Sequence, residues 1–205
     1  MIQILDESLE AFLRAAVPLP EQDVDLAFEA PDRDWATRIT RPTVNLYLWD
    51  VRPNPGEAQI GVTVGTDENG RPVRRPLPPR VDFRYLVTAW TSDIRDEHSL
   101  LGSVLSTLLG TRELDPQYLP GDYSTVGPIP SLTLAHRDAE GTSDVWSALG
   151  GQLKPGLDLI VTASVQSGRG WRAGPPVKRY ELTVTSTEAD DHDGSEAIAT
   201  TPEEF

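Results

Sequence analysis

Residues 80–109 read RVDFRYLVTAWTSDIRDEHSLLGSVLSTLL, and this stretch decides the fold. Val81, Phe83, Tyr85 and Val87 alternate with Asp82, Arg84, Leu86 and Thr88. A period of two predicts a β-strand. Leu86 interrupts the polar series, which predicts a strand covered on both faces. Ala89 and Trp90 extend it. The pattern breaks at Thr91-Ser92-Asp93, whose side-chain oxygens suit the free N–H groups of a helix start. Ser92 or Asp93 is the expected N-cap. Asp93, Asp96 and Glu97 bring negative charge to the first turn, where the helix dipole favours it. Ile94, Leu101, Val104, Leu105 and Leu108 follow helical spacing, and Gly110 is the expected closing residue, tolerant of positive φ.

The same two periods organise the rest. Residues 2–17 predict a helix with Ile2, Leu5, Leu9, Phe12, Leu13 and Ala16 on one face, ended by Pro18 and Pro20. Residues 23–28 predict a short strand through Val24, Leu26 and Phe28, and 31–35 a turn or short helix that turns Trp35 inward. Residues 42–51, PTVNLYLWDV, predict a central strand. Its expected faces are Val44, Leu46, Leu48 and Asp50 against Asn45, Tyr47, Trp49 and Val51. Residues 111–130 form a Pro- and Gly-rich connection that Leu114, Tyr118 and Leu119 should pin to the core. Then come a strand at 131–136 and a helix at 143–149, with Ser143 or Asp144 as cap, Trp146 and Leu149 as anchors, and Gly150-Gly151 ending it. Strands at 157–165 and 177–184 flank a loop at 167–176 and read as a hairpin. The expected class is α/β (α+β): a mixed β-sheet of about five to seven strands packed with helices. The expected division is one domain over 1–186 and a disordered acidic tail over 187–205.

Residues 56–79 differ from everything around them. Ile60, Val62 and Val64 alternate, Asp67-Glu68-Asn69-Gly70 signals a turn, and Val73 and Leu77 follow. Asn-Gly between two extended segments predicts a hairpin. Pro72, Pro76, Pro78 and Pro79 place it at an edge or on a projecting arm. Arg71, Arg74, Arg75, Arg80 and Arg84 make this the most basic stretch. It is either a solvated arm or a contact arm for an acidic neighbour. Residues 168–175, with Arg169, Trp171 and Arg172, are either a bare loop or a tip that touches a partner. Gly168-Arg169-Gly170 joins two apparent strands rather than opening a helix, so it lacks the geometry of a phosphate loop.

Charge and composition exclude several functions. The 205 residues carry a formal net charge of −14, which argues against general nucleic-acid binding. Half of that charge lies in Glu188, Asp190, Asp191, Asp193, Glu196, Glu203 and Glu204. The sequence has no cysteine, which removes disulfides, thiolate metal sites and cysteine nucleophiles. No apolar run is long enough to span a bilayer. Acids inside the periodicity of the first helix argue against a signal peptide, so assembly in the cytoplasm is expected. His98, His136 and His192 have no metal-binding spacing. No nucleophile elbow, P-loop or dinucleotide fingerprint occurs. Asp96, Glu97 and Ser99 flank His98, but neighbours in a helix do not face one another. No catalytic, cofactor or metal residue is therefore assigned.

Certain segments carry a family resemblance. They are the amphipathic first helix; the strand Pro42-Thr43-Val44-Asn45-Leu46-Tyr47-Leu48-Trp49 with Val51 and Asn54; Tyr85-Leu86-Val87-Thr88-Ala89-Trp90; and Glu97-His98-Ser99-Leu100-Leu101-Gly102. Trp146, Ala148 and Leu149, then Lys154-Pro155, add to it. Over residues 2–186 the chain resembles the N-terminal domain of the cap, or tail-terminator, proteins of phage-tail-like contractile injection systems. The resemblance implies a non-enzymatic part without a cofactor. It implies a ring, a hexamer, at the baseplate-distal end of the tube and sheath, ending polymerisation and anchoring the last sheath ring. The implied partners are copies of the chain itself and the sheath and inner-tube proteins, in a particle that is either released or kept inside the cell. The expected contacts are Arg71, Arg74, Arg75, Arg169, Trp171 and Arg172. A small-molecule or peptide-binding adaptor is the alternative, and would show a ligand-sized pocket. A hydrolase built on His98 would need that residue in a cleft with a polar partner.

Overall fold

The computed structural model describes residues 1–19, 22–57, 60–67, 69–121, 123, 126–135, 142–150, 153–166 and 170–172. Its first elements in chain order are helix α1 (Ile2–Ala16), strand β1 (Asp25–Ala27), helix α2 (Arg33–Arg38) and strand β2 (Thr43–Pro53). Strands β3 (Val62–Thr66), β4 (Pro72–Pro76) and β5 (Arg80–Trp90) lead into helix α3 (Ile94–Gly110). Strand β6 (Ser131–Leu134), helix α4 (Thr142–Leu149), strand β7 (Gly156–Ser164) and the two-residue strand β8 (Trp171–Arg172) complete the described elements.

The strand at 80–90 sits at the centre of a five-stranded sheet ordered β1-β2-β5-β7-β6. Only β1 runs parallel to its neighbour; the other pairs are antiparallel. The sheet is therefore mixed, in line with the expected class. Phe83, Tyr85 and Val87 share one face with Val44, Leu46, Leu159 and Val161, and all are buried. Leu5, Leu9, Phe12 and Leu13 of α1 and Val104 and Leu108 of α3 pack into the same core. On the other face Leu86 and Trp90 bury against Trp35 of α2 and Trp146 of α4. Trp35 and Trp90 meet edge to face at 5.3 Å. Leu86 breaks the polar series because this second layer covers it. The connection after α3 is pinned as expected: Leu114 and Leu119 are buried, and Tyr118 meets Phe12 edge to face at 5.8 Å.

Of the two expected caps of α3, Asp93 is the one used, its carboxylate accepting the Arg95 N–H at 2.7 Å. Other details depart from the sequence pattern. Ile94 is 58% exposed, although it shares helical spacing with the buried Leu101, Val104 and Leu108. Gly110 is the last helical residue, and the cap, Thr111, is extended with φ −119°. Ile2 and Ala16, at the ends of α1, are exposed as well. Helix α4 begins at Thr142, so Ser143 and Asp144 lie in its first turn and not at its cap. A register shift between Leu48 and Asp50 leaves Trp49 without a cross-strand partner. That bulge exchanges the faces beyond it: Val51 now opposes Phe83, and Asp50 opposes Arg84. The proposed strand at 177–184, the tail 187–205, Arg169, His136 and His192 lie outside the described residues.

Candidate assembly surface

Within the stretch 56–79, strands β3 and β4 form a hairpin, here called the arm, that belongs to a small sheet separate from the five-stranded one. Strands β3 and β4 pair antiparallel from Val62–Pro76 to Thr66–Pro72. The turn is closed by the Gly70 N–H on the Asp67 carbonyl at 2.9 Å. The Asp67 carboxylate also accepts from the Asn69 and Arg71 N–H groups at 2.9 and 2.8 Å. Gly70 has φ +73°, the left-handed geometry that glycine adopts without a Cβ penalty. Residues 170–172 are not a bare loop. Arg172 pairs with Val73 and Trp171 with Arg74, adding β8 to the free edge of β4. The approach is close: a Cβ on Gly170 would stand 2.8 Å from Val73 Cγ1.

This register sorts the side chains of the arm. Directly paired residues share a face, so Arg74 lies with Val62, Val64 and Trp171, and Arg75 lies with Val73 and Arg172. Val62, Val64 and Trp171 are exposed, Val64 at 68%. Arg71, Arg74, Arg75 and Arg172 are exposed too, and none forms an ion pair among the described residues. A strand pair whose valines face water does not bury enough to serve a core. Exposed β-branched residues beside unpaired arginines instead provide a surface of mixed apolar and cationic character. The outer edge of β3 has no strand partner among the described residues, leaving a row of backbone N–H and C=O groups open to pairing.

Arg80 and Arg84 do not belong to this surface, contrary to their place in the basic stretch. Arg80 is 4% exposed and holds the root of the arm. Its guanidinium donates to Glu57 Oε2 at 3.2 Å, to the Pro128 carbonyl at 3.1 Å and to Ser164 Oγ at 3.3 Å. The Glu57 N–H in turn donates to Asn54 Oδ1 at 3.1 Å. Asn54 Nδ2 and Thr162 Oγ1 both donate to Asp82, at 3.0 and 2.7 Å. Backbone bonds Asn54 N–H to Arg80 O and Val165 N–H to Pro79 O, each 2.9 Å, close the junction. Tyr123 donates to the Ser164 carbonyl at 3.2 Å, and burial pushes its phenol pKa up despite the pull of nearby Arg80. The root is thus a polar lock, and the arm projects from a fixed base. Arg84 pairs with Asp158 across the sheet and lies 4.4 Å from the centre of the Trp49 ring.

A second polar contact escaped the sequence pattern. Glu97 is 3% exposed and ion-paired to Lys154, whose ammonium lies 4.5 Å from the centre of the Trp90 ring. It ties the start of α3 to the residues ahead of β7. The two partners are 57 positions apart in sequence, so no local pattern could join them. Under the sheet, Tyr85 donates to Asp6 of α1 at 2.8 Å. Burial raises the Asp6 pKa against the lowering effect of that bond, and burial pushes the Tyr85 phenol far above its ordinary value.

The features that an enzyme or an adaptor would need are His98 in a cleft and a ligand-sized pocket. His98 is exposed on α3 and makes no hydrogen bond or ion pair there. No group of three His, Asp or Glu side chains among the described residues could hold a metal. No described helix is long and apolar enough to cross a membrane. A groove of about 320 Å³ lies beside α2, lined by Asp25, Glu29, Trp35, Arg38 and Thr43 among others. Its carboxylates are already engaged: Asp25 with Arg41 at 3.0 Å, and Glu29 with the Trp35 indole N–H at 2.5 Å.

With the fold and surface in view, comparison with known proteins is informative. A PVC sheath/tube terminator, part of an extracellular contractile injection system in its extended state, is similar in structure, with a TM-score of 0.66 at 22% identity. The alignment covers 93% of this chain and 65% of that one. The anti-feeding prophage cap, a tube-terminating cap, matches with a TM-score of 0.57 at 20% identity, over 88% of this chain and 60% of the cap. This chain therefore spans less than two thirds of the length of either. At such identity these likenesses establish the fold. The comparison with curated proteins finds no match. The Pvc16 N-terminal domain family matches residues 4–179. The chain belongs to the Pvc16 N-terminal domain family.

Proposed function

We propose that this chain is a structural terminator of a contractile injection particle and catalyses no reaction. It closes the baseplate-distal end of the tube and sheath as a ring, a hexamer, and anchors the last sheath layer. The observation that carries this reading is the arm on a fold shared with a sheath/tube terminator and a tube-terminating cap. A rigidly rooted hairpin that serves no core is suited to contact between subunits. Ring contacts join two different surfaces of neighbouring copies and close by rotation, and an open strand edge is a common means of making them. The contacts are made from both faces of the arm, Arg74 with Trp171 on one and Arg75 with Arg172 on the other, with Arg71 beside the turn and Arg169 next in sequence. The working unit is residues 1–186, with the acidic segment 187–205 as an extension. The partners are copies of the chain and the sheath and tube proteins, and assembly takes place in the cytoplasm before any release.

The test is to image particles purified from producing cells with and without the chain. Capped particles of uniform length with it, and overlong tubes or unstable sheaths without it, support the reading. Particles unchanged by its loss, and free of it at both ends, reject it.

A further inference from the structure

Among the described residues, β3 is the outer strand of the small sheet and β1 the outer strand of the five-stranded one. Strand β3 holds no charged residue and no proline, the features that commonly blunt an edge. Its backbone bonds fix which residues face outward. The Leu77 N–H donates to the Gly61 carbonyl and the Asp67 N–H to the Arg71 carbonyl. By alternation Thr63 and Gly65 turn their backbone groups to β4, and Val62, Val64 and Thr66 turn theirs to the open edge. In β1 the Asp25 N–H donates to the Pro42 carbonyl on the β2 side, so Leu26 turns its groups outward. Side chains add a second condition. A Cβ on Gly65 would stand 4.0 Å from Arg75 Nη1, so the guanidinium lies over an edge position that has no side chain. On the opposite face Val62 and Val64 are exposed at 50% and 68%. A strand that joins β3 must therefore set an acid opposite Gly65 and an apolar residue opposite Val64.

We propose that this strand is β1 of a second copy, so that β3 of one subunit and β1 of the next join their sheets edge to edge. This names the receiving surface of the ring proposed above and rests on that reading. Residues 23–32 carry Asp23, Asp25, Glu29 and Asp32 and no Lys or Arg. Val24, Leu26 and Phe28 alternate with the first of these acids. Laid antiparallel to β3 with Leu26 opposite Val64, β1 sets Asp25 opposite Gly65, under Arg75, and Phe28 opposite Val62. The outward backbone groups of Leu26 and Val64 then face each other as a hydrogen-bonded pair. Leu26 and Phe28 are only partly buried on the main core, and the exposed valines extend that apolar face. Asp25 already meets Arg41 at 3.0 Å, with both side chains nearly half exposed, a surface pair that contributes little. The Val24 carbonyl accepts from Arg14 at 2.7 Å, so the pairing runs from Leu26 toward Phe28. A projecting edge that meets a different edge on the next copy is a heterologous contact, the kind that closes a ring.

The chain has no cysteine, so an introduced pair reports the contact. In this register Thr63 opposes Ala27, and a chain carrying both Thr63→Cys and Ala27→Cys leaves Arg75 and Asp25 intact. It is oxidised as concentrated purified chain and on purified particles, then run on denaturing gels without reductant. A ladder of linked chains is expected, and neither cysteine alone should give one. Adding Arg75→Glu or Asp25→Arg should cut the ladder at least about tenfold, because like charges then meet. Adding both should restore it, which also shows that the variants fold. No ladder in either sample overturns the proposal. So do linked dimers from Thr63→Cys alone, which would mean that β3 pairs with its own copy, and a ladder that ignores the charge variants. Capped particle ends without a ladder would remove the edge pairing and leave the capping reading standing. A ladder with particle ends uncapped would do the reverse.

Discussion

Among the described residues the chain builds a mixed five-stranded sheet and an antiparallel three-stranded one from segments of the same period, and they end in opposite states. In β5 the alternation of Phe83, Tyr85 and Val87 with Leu86 and Trp90 is buried on both faces between helices. In the arm the alternation of Val62 and Val64 faces water. The difference lies in what surrounds each strand. Strand β5 has β2 and β7 along its length and helices above and below. The arm has prolines at both ends of β4 and, among the described residues, a two-residue partner on one edge. Proline removes ladder donors and confines a strand to an edge. The first sheet makes the fold; the second uses the fold as a base. Alternation alone therefore reports strand, and burial comes from neighbours.

The sharpest break of this comparison is a matched pair of truncations. Phe83→Ala should cost about 3–5 kcal/mol, and Val64→Ala less than about 0.5 kcal/mol, in urea unfolding followed by circular dichroism. Comparable losses would mean that the arm belongs to the core. Next is the ion pair sewn into the five-stranded body. Lys154→Ala leaves the Glu97 carboxylate buried without a partner and should cost about 3 kcal/mol, read in the same assay. A matching loss at an arm arginine would erase the distinction.

The root and the arm can be separated through their arginines. Arg80→Ala leaves the Pro128 carbonyl and Ser164 hydroxyl short of a donor and should cost about 2 kcal/mol. Arg74→Ala should stay within about 0.5 kcal/mol. The smallest effect concerns the contact between α1 and β5. Tyr85→Phe removes one hydrogen bond to Asp6 and should cost about 1 kcal/mol. The pH dependence has a definite sign. Burial raises the Asp6 pKa in the folded chain above its ordinary 3.8, so the native state binds more protons than the unfolded state between those values. The Asp6 contribution to stability is then fully present below 3.8 and is lost as pH rises through the raised value. Asp6→Asn should flatten that slope. Tyr85→Phe should extend it upward, since the lowering bond is gone. A stability that instead falls with acid through this window would contradict the assignment.

What was legible in the sequence follows from range. Period and capping are local, so the β5–α3 unit, a cap at Ser92 or Asp93, a hairpin within 56–79 and the expectation of a two-sided sheet could be read from residues. The bulge at Trp49 could not, because its cause is the register with Arg84, not the order of residues around Asp50. Ile94 has helical spacing yet is exposed in the first turn of α3. The five arginines from 71 to 84 form one basic run in sequence. Only the tertiary neighbours Glu57, Ser164 and Asp158 divide them into two that build and three that face outward. The surface itself was half visible: turn chemistry and prolines marked the arm, while the addition of Trp171 and Arg172 to its edge is a long-range pairing.

The most direct measurement replaces residues 62–76 with a short Gly-Ser turn between Gly61 and Leu77, which are already joined by the Leu77 N–H to Gly61 carbonyl bond at 3.1 Å. Root residues Glu57 and Arg80 remain in place. Trimmed and full chains are compared for the fraction of particle ends they cap, counted by electron microscopy, with thermal unfolding of each as the control for folding. The account expects the trimmed chain to melt within a few degrees of the full chain and to leave particle ends uncapped. Normal capping by the trimmed chain would contradict it.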